Sequence, residues 1–368
     1  MKEKKAGRII FLFSFFAVLC CGWLLWFPLR GMMDTTNREN RELHKLPPLT
    51  SPEEYREFPK KLEWYLDDYA PFRNQLITLN NGIDYFLFGE GNDRAAAGKD
   101  GWLFYCDSSD GNPIACYQGG NLLMDVHLQQ IAENCLRQRD FLAERGIEFV
   151  IFVAPNKERM YPEYMPDRYG PPAETYQALQ IVNYLREHTD LRVVYPYDEL
   201  MAAKAALPEE IYYKTDTHWN LIGGYVGAKA LLRELGIELP DLSEVTITPA
   251  GEKDGDLAHS LGLEPFLKST EYTVEGYDTH GAESLGDFDD VYAYRAENAD
   301  PRKFYAVRDS FFVSMLPYVQ SQFNESWTKY HHNYLYDDFA EQKPDIFVYE
   351  TVERYAGELA RFSVKYGK

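Results

Sequence analysis

The stretch Ile211–Leu221 reads Ile-Tyr-Tyr-Lys-Thr-Asp-Thr-His-Trp-Asn-Leu, so a carboxylate, Asp216, and an imidazole, His218, stand two residues apart. That pairing suits a general base and the acid that orients it. Ser310 follows an apolar run, Lys303-Phe-Tyr-Ala-Val307, through Arg308-Asp309, where a strand would hand over to a helix. A serine so placed projects its hydroxyl from a sheet edge, and the N–H groups behind it favour a negative oxygen. A third polar cluster, Pro155-Asn-Lys-Glu-Arg159, ends another apolar run. Together these suggest Ser310 as nucleophile, His218 as base and Asp216 as the group holding the imidazole tautomer. The Ser310 N–H is a candidate oxyanion donor. Asn156, Lys157, Arg159, Tyr213, Lys214 and Arg308 are candidate contacts to a ligand. Each has a plainer reading: Asp216 or Thr217 as the N-cap of the next helix, Ser310 as a cap, and the others as solvated residues at strand ends.

The elements that must carry these groups alternate. Met124 to Arg145 has helical periodicity and is closed by Gly146. Glu148–Ala154 is a continuous apolar run, as in a strand covered on both faces. Tyr176–His188 reads as a helix and Arg192–Tyr195 as a strand. The Asp216/His218 stretch then leads into a helix that Gly236 ends, and is itself read as the next strand end. Residues 238–300 lose helical periodicity and contain short alternating pieces such as Tyr272-Thr-Val and Val291–Tyr294, as in a β-rich insertion. Lys303–Val307 and Pro344–Glu350 supply the last strands. The pattern predicts an α/β fold with a mostly parallel sheet and ligands beyond the strand C-termini.

Before this domain, Lys2, Lys4, Lys5 and Arg8 precede an uncharged run from Ile9 to Leu29. About twenty apolar residues span a bilayer, and leading basic residues keep the N-terminus cytoplasmic. The expected layout is a cytoplasmic tail (1–8), a single transmembrane anchor (9–29), a linker and helical lead-in (30–95) and a catalytic domain (96–368) outside the cell membrane. A cleaved signal peptide is the rival, disfavoured because no small-x-small site follows the run. Ser51-Pro-Glu-Glu54 is a helix start, and Pro71 divides the lead-in into two helices.

The 38 Lys+Arg against 58 Asp+Glu leave a net charge of −20, which argues against nucleic acid and anionic lipid as main partners and suits a neutral glycan. Of the five cysteines, Cys106 and Cys116 flank a polar loop and could close a disulfide outside the cytosol or remain free. No Cys or His spacing of metal-site type is evident, and no cofactor is expected.

These pieces resemble the SGNH-hydrolase-like proteins of the alginate O-acetyltransferase group, the AlgX/AlgJ-like family, and the related DHHW family. The resemblance rests on Glu39-Asn-Arg41, Gly98-Lys-Asp-Gly-Trp-Leu-Phe104, Pro155–Arg159, Thr215-Asp-Thr-His-Trp219, Gly255-Asp-Leu257, Arg308-Asp-Ser-Phe311, and Pro344-Asp with Glu353-Arg354. It implies a flavodoxin-like three-layer fold in permuted order, with the Asp-x-His element before the serine. It also implies acyl transfer to or from carbohydrate hydroxyls of an exported or cell-surface polysaccharide, with a membrane-bound O-acyltransferase as partner, the Asn156 side-chain amide as a second oxyanion donor, and Lys157, Arg159, Tyr213, Lys214 and Arg308 as contacts to sugar or acyl oxygen. Thr217 stands where the DHHW pattern has a second histidine, and is expected to point away from the nucleophile. An O-acetyltransferase, a carbohydrate acetylesterase and a non-catalytic glycan-binding scaffold are the competing functions.

Overall fold

The computed structural model describes residues 42–49, 51–288 and 291–365, with 11–17, 21, 24 and 28 before them. Among the described residues no helix is long and apolar enough to cross a membrane. Most of the predicted anchor and all of the tail 1–8 lie outside them.

The chain separates into two compact units, one reaching to Asn92 and including His259–Phe266, the other formed by Asp93–Ala258 and Leu267–Lys368. The first holds helices α1 (Pro52–Asp68) and α2 (Arg73–Ile83). The start of α1 is a reciprocal cap: the Ser51 hydroxyl accepts from the Glu54 N–H, and the Glu54 carboxylate accepts from the Ser51 N–H. After α2 the chain winds through one wide turn, Asp84–Phe88.

The second unit carries a short hairpin, β1 (Ala95–Ala97) and β2 (Leu103–Tyr105), then α3 (Asp125–Ala143), β3 (Glu148–Ala154), α4 (Gln177–His188), β4 (Arg192–Val194), α5 (Tyr197–Ala206) and α6 (Leu221–Glu234). Strands β5 (Thr246–Asp254), β6 (Lys268–Glu275), β7 (Glu283–Phe288), β8 (Val291–Arg295), β9 (Asp300–Arg308), β10 (Phe323–Tyr330) and β11 (Ile346–Val352) complete it. The main sheet runs β4-β3-β11-β9-β10-β8-β7. Its first five strands are parallel and the β8–β7 pair is antiparallel.

The continuous apolar run of β3 has the cause expected for a covered strand. Val150, Phe152 and Ala154 enter one core with Phe304, Ala306, Val348 and residues of α6. Phe149, Ile151 and Val153 enter a second core with Tyr305, Val307, Phe347 and residues of α3 and α4. Two apolar layers on a parallel sheet make the three-layer α/β arrangement.

One sequence expectation changes, and one strand was not foreseen. Residues 238–300 do not act together: β5 and β6 pair only with each other, whereas β7 and β8 extend the main sheet by antiparallel pairing of β8 with β10. Strand β10 itself carries no apolar run. Its inward positions include Ser326 and Thr328, both 0% exposed, so small polar side chains fill sites where an apolar alternation would have marked a strand.

Candidate active site

Three neighbouring strands of the sheet, β3, β11 and β9, end side by side, and their C-terminal ends are tied together by buried carboxylates. Asp309, just past β9, accepts from the Phe311 N–H (2.8 Å) with one oxygen and from the Val352 N–H of β11 (2.6 Å) with the other. Glu353, just past β11, accepts from the Asn156 N–H beyond β3 (3.1 Å), the Tyr195 hydroxyl (3.2 Å) and the Arg159 guanidinium (3.3 Å). Desolvation pushes the Glu353 carboxyl up, and Arg159 counters it. These donors satisfy the acids where water is excluded and fix the three loop starts relative to one another.

Ser310 opens the short helical turn Phe311–Met315, yet its side chain makes no cap hydrogen bond. Asp309 has taken the Phe311 N–H instead, so the serine hydroxyl is left for another partner. That partner is His218, whose Nε2 lies 2.7 Å from Oγ. The other ring nitrogen, Nδ1, lies 2.6 Å from Asp216 Oδ1. Burial by itself would lower the His218 pKa, but the Asp216 charge and hydrogen bond, with Asp256, outweigh it and the ring titrates above its usual value. Burial likewise opposes ionisation of Asp216, and the His218 interactions override it, holding the carboxyl far below the usual range. Asp216 is buried while Ser310 and His218 stay partly open to solvent.

Asp216 and His218 do not sit on a strand end, contrary to the sequence expectation. They lie in a loop between α5 and α6 closed by one bridge, Tyr212 to Trp219. Neither Asp216 nor Thr217 caps α6, because Asn220 accepts from the N–H groups of Ile222 and Gly223. The loop is docked beside Ser310 by Trp219, whose indole N–H donates to the Phe311 carbonyl (2.8 Å). Gly224 of α6 makes this approach possible: a Cβ there would stand 2.2 Å from the Ser314 carbonyl oxygen.

The remaining sequence candidates divide. Asn156 is 2% exposed, and its Nδ2 is a buried donor with no partner. Its Oδ1 accepts from Arg354 (3.4 Å), whose guanidinium lies 5.6 Å over the ring of Phe311. Lys157 does not face solvent or a ligand. The residue is 1% exposed, and its ammonium donates to the carbonyls of Tyr213 (3.1 Å), Lys214 (3.2 Å) and Asp216 (2.5 Å), clamping the loop that bears the histidine. Arg159 pairs with Glu353 and donates to three backbone carbonyls, those of Cys116, Tyr117 and Ala173. The Tyr213 hydroxyl donates to Glu271. Lys214 pairs with Glu210 at 2.9 Å. Arg308 donates to the Asp309 carbonyl and covers the rings of Tyr292 and Tyr330. These are structural engagements that strand-end spacing could not reveal. Cys106 and Cys116 are not bridged to each other, and burial pushes each thiol up to about 11.

The residue missed by sequence reasoning is Asp256. Its Oδ1 accepts from the Thr217 N–H (2.8 Å), its Oδ2 from the Thr217 hydroxyl (2.6 Å), and its own N–H donates to Asp216 Oδ2 (3.1 Å). The Thr217 oxygen is also 3.1 Å from His218 Nδ1, the ring nitrogen remote from Ser310, so Thr217 engages the imidazole and not the serine. The available signal was the Gly255-Asp-Leu257 element. Among the described residues Asp216, His218 and Asp256 form the one group whose potential ligand atoms lie within 4.8 Å of one another. Both ring nitrogens are already engaged, with Asp216 and with Ser310.

A mostly parallel three-layer sheet, with a serine at one strand end met by a histidine–aspartate pair, defines an SGNH-hydrolase-like α/β protein. Residues 95–296 match the family described as SGNH hydrolase-like domain, acetyltransferase AlgX, and the chain belongs to that family. The matched stretch contains Asp216 and His218 and ends before Ser310. A probable alginate O-acetylase AlgJ of Azotobacter vinelandii is 30% identical over 217 residues, covering 56% of this chain and 51% of the relative, so this chain aligns with about half of that protein. A second, from Pseudomonas fluorescens, is 26% identical over 80% of this chain and 77% of its own. The structure of Bacillus cereus PatB1 superimposes with a TM-score of 0.52 at 15% identity, covering 72% of this chain and 98% of that one, a likeness of fold.

Proposed function

We propose that this chain is a carbohydrate O-acetyltransferase working through Ser310, His218 and Asp216. The observation carrying the reading is the pair of short contacts on one imidazole, 2.7 Å to the Ser310 hydroxyl and 2.6 Å to the Asp216 carboxylate. His218 Nε2 takes the hydroxyl proton as Ser310 Oγ attacks the acetyl carbonyl of a donor. The carbonyl oxygen becomes an oxyanion facing the Ser310 N–H and the unpartnered Asn156 Nδ2. Collapse expels the donor's leaving group, which receives the proton from His218, and leaves acetyl-Ser310. A sugar hydroxyl then enters, gives its proton to His218, attacks the acyl carbonyl and departs as the acetyl ester. The proton returns to Ser310 Oγ. With water in place of the sugar the same steps make an esterase.

The names of the AlgJ relatives make alginate a candidate acceptor. The net charge of −20 opposes a polyanionic polymer, and we place a neutral exported or cell-surface polysaccharide first. The uncharged run Ile9–Leu29 behind basic residues supports anchoring in the cell membrane with this domain outside, where a membrane-bound O-acyltransferase would deliver acetyl groups. The test is acetyl transfer from an aryl acetate to neutral and uronic oligosaccharides by the full chain in detergent, reading both acetylated sugar and free acetate. Loss of aryl release in Ser310→Ala supports the nucleophile, and parental activity in that variant refutes it. Free acetate alone would mean an esterase.

A further inference from the structure

The imidazole of His218 has two carboxylates on its Nδ1 side, and a three-member triad uses only one. Asp216 Oδ1 is at 2.6 Å and Asp256 Oδ2 at 3.8 Å, with the Thr217 oxygen between them at 3.1 Å from the ring nitrogen. We propose that Asp256 is a second carboxylate of the acid–base relay, a positioning residue that acts through the Thr217 hydroxyl to orient His218 and to share with Asp216 the stabilisation of its cationic form. The proposal rests on the acyl-transfer reading above.

The hydrogen-bond directions support it. Asp256 receives the Thr217 N–H on one oxygen and the Thr217 O–H on the other, which is what an ionised carboxylate can accept and a protonated one cannot do as well. With its proton directed to Asp256, the Thr217 oxygen turns a lone pair to Nδ1. The Nδ1–H is then shared between Asp216 Oδ1 and Thr217 Oγ1. When Nε2 takes the Ser310 proton, the ring gains one positive charge, Nδ1 keeps its hydrogen, and no proton passes to either aspartate. The charge is stabilised directly by Asp216 and, one hydroxyl removed, by Asp256. The groups facing the ring are Asp216 from its own loop, Asp256 from the turn after β5, Arg354 from beyond β11 and Ser310 from beyond β9, with the Lys157 ammonium held on the Asp216 carbonyl. Arg354 opposes the cation and the two acids favour it.

The placement of Asp256 is enforced. The Leu257 and Ala258 N–H groups both donate to the Thr215 carbonyl (3.2 and 3.1 Å), and Gly255 lies so close that a Cβ would stand 2.0 Å from the same oxygen. Asp256 opens the short helix Asp256–Leu261, and a residue serving only that start would not need its side chain turned onto a neighbouring loop with both oxygens occupied there.

The experiment compares the full chain with Asp256→Asn, Thr217→Val and Thr217→Ser. One readout is the pH dependence of kcat/KM for acetyl transfer. The other, independent of turnover, is the His218 ring titration followed by NMR in the Ser310→Ala background. An opposite charge a few ångströms away is worth about one pKa unit or more. Asp256→Asn is expected to move the acid limb down by about one unit and to lower the neutral-pH plateau by about tenfold. Thr217→Val moves both in the same direction, and Thr217→Ser, which keeps a hydroxyl, by less than half as far. A plateau that falls with the acid limb unmoved would mean a merely structural Asp256 and would overturn the proposal, as would a ring titration in Asp256→Asn equal to that of the parent. If Asp256→Asn fails to fold, Thr217→Val decides on the same two readouts. A parent without Ser310-dependent acyl transfer refutes the function instead, and the ring titration still decides Asp256.

Discussion

Lys157 is predicted to give the parent opposite trends of activity and stability between pH 8 and 10.5, and its replacement by methionine to slow catalysis and abolish both trends. The buried ammonium donates to three carbonyls of the loop that carries Asp216 and His218. Burial pushes its pKa down to about 8 from 10.5. In the unfolded chain the amine titrates near 10.5, so between these values the unfolded state holds a proton the folded state has released. Stability then rises with pH in that window, by up to about 1.4 kcal/mol per unit and about 3 kcal/mol in all. Activity moves the other way. A neutral amine has two hydrogens for three carbonyls, so the loop loosens and acetyl transfer falls as pH passes about 8. Lys157→Met removes both effects. Other groups titrating there, thiols and tyrosines, cancel in the difference between parent and variant. The assay is urea unfolding of both proteins from pH 7 to 10.5, with kcat measured alongside. The parent should gain on the variant by about 3 kcal/mol across the window, and the variant should lose its alkaline limb near 8 along with tenfold or more of its neutral rate. A stability difference independent of pH, or an unchanged alkaline limb, would refute the argument that this cation is buried to hold the loop.

Three further outcomes follow from the geometry. Asn156→Ala should lower kcat by about a hundredfold or more with KM little changed, since the unpartnered amide is assigned to the transition state; a change confined to KM would assign it to binding. Gly255→Ala should destabilise the second unit by about 2 kcal/mol or more, because its Cβ would overlap the Thr215 carbonyl, and thermal unfolding measures this. With the neutral imidazole as the proposed base and its titration raised above the ordinary 6.5 by Asp216, kcat/KM should fall on acidification with a midpoint above 6.5, and a midpoint below that value would contradict the proposed base.

Much of the fold was legible. Strand β3 announced itself because burial on both faces demands an unbroken apolar run, and α3 and α4 because one buried face repeats every three to four residues. Strand β10 was not legible, because Ser326 and Thr328 occupy its inward positions. The joining of β7 and β8 to the main sheet was equally hidden, since pairing partners leave no local trace.

The residue types at the site belong to the sequence. A serine behind an apolar strand and an Asp-x-His step are short-range patterns whose chemistry can be named without coordinates. Which side chains touch was decided by the tertiary structure. Asp256 lies 38 residues beyond His218 and reaches the relay only because its turn packs on the Thr215 carbonyl. Lys157, read as a ligand contact, became a clamp because the loop folded over it and supplied three carbonyls. A hydrogen bond needs about 3 Å and an aligned donor, and separation along the chain carries no information about either.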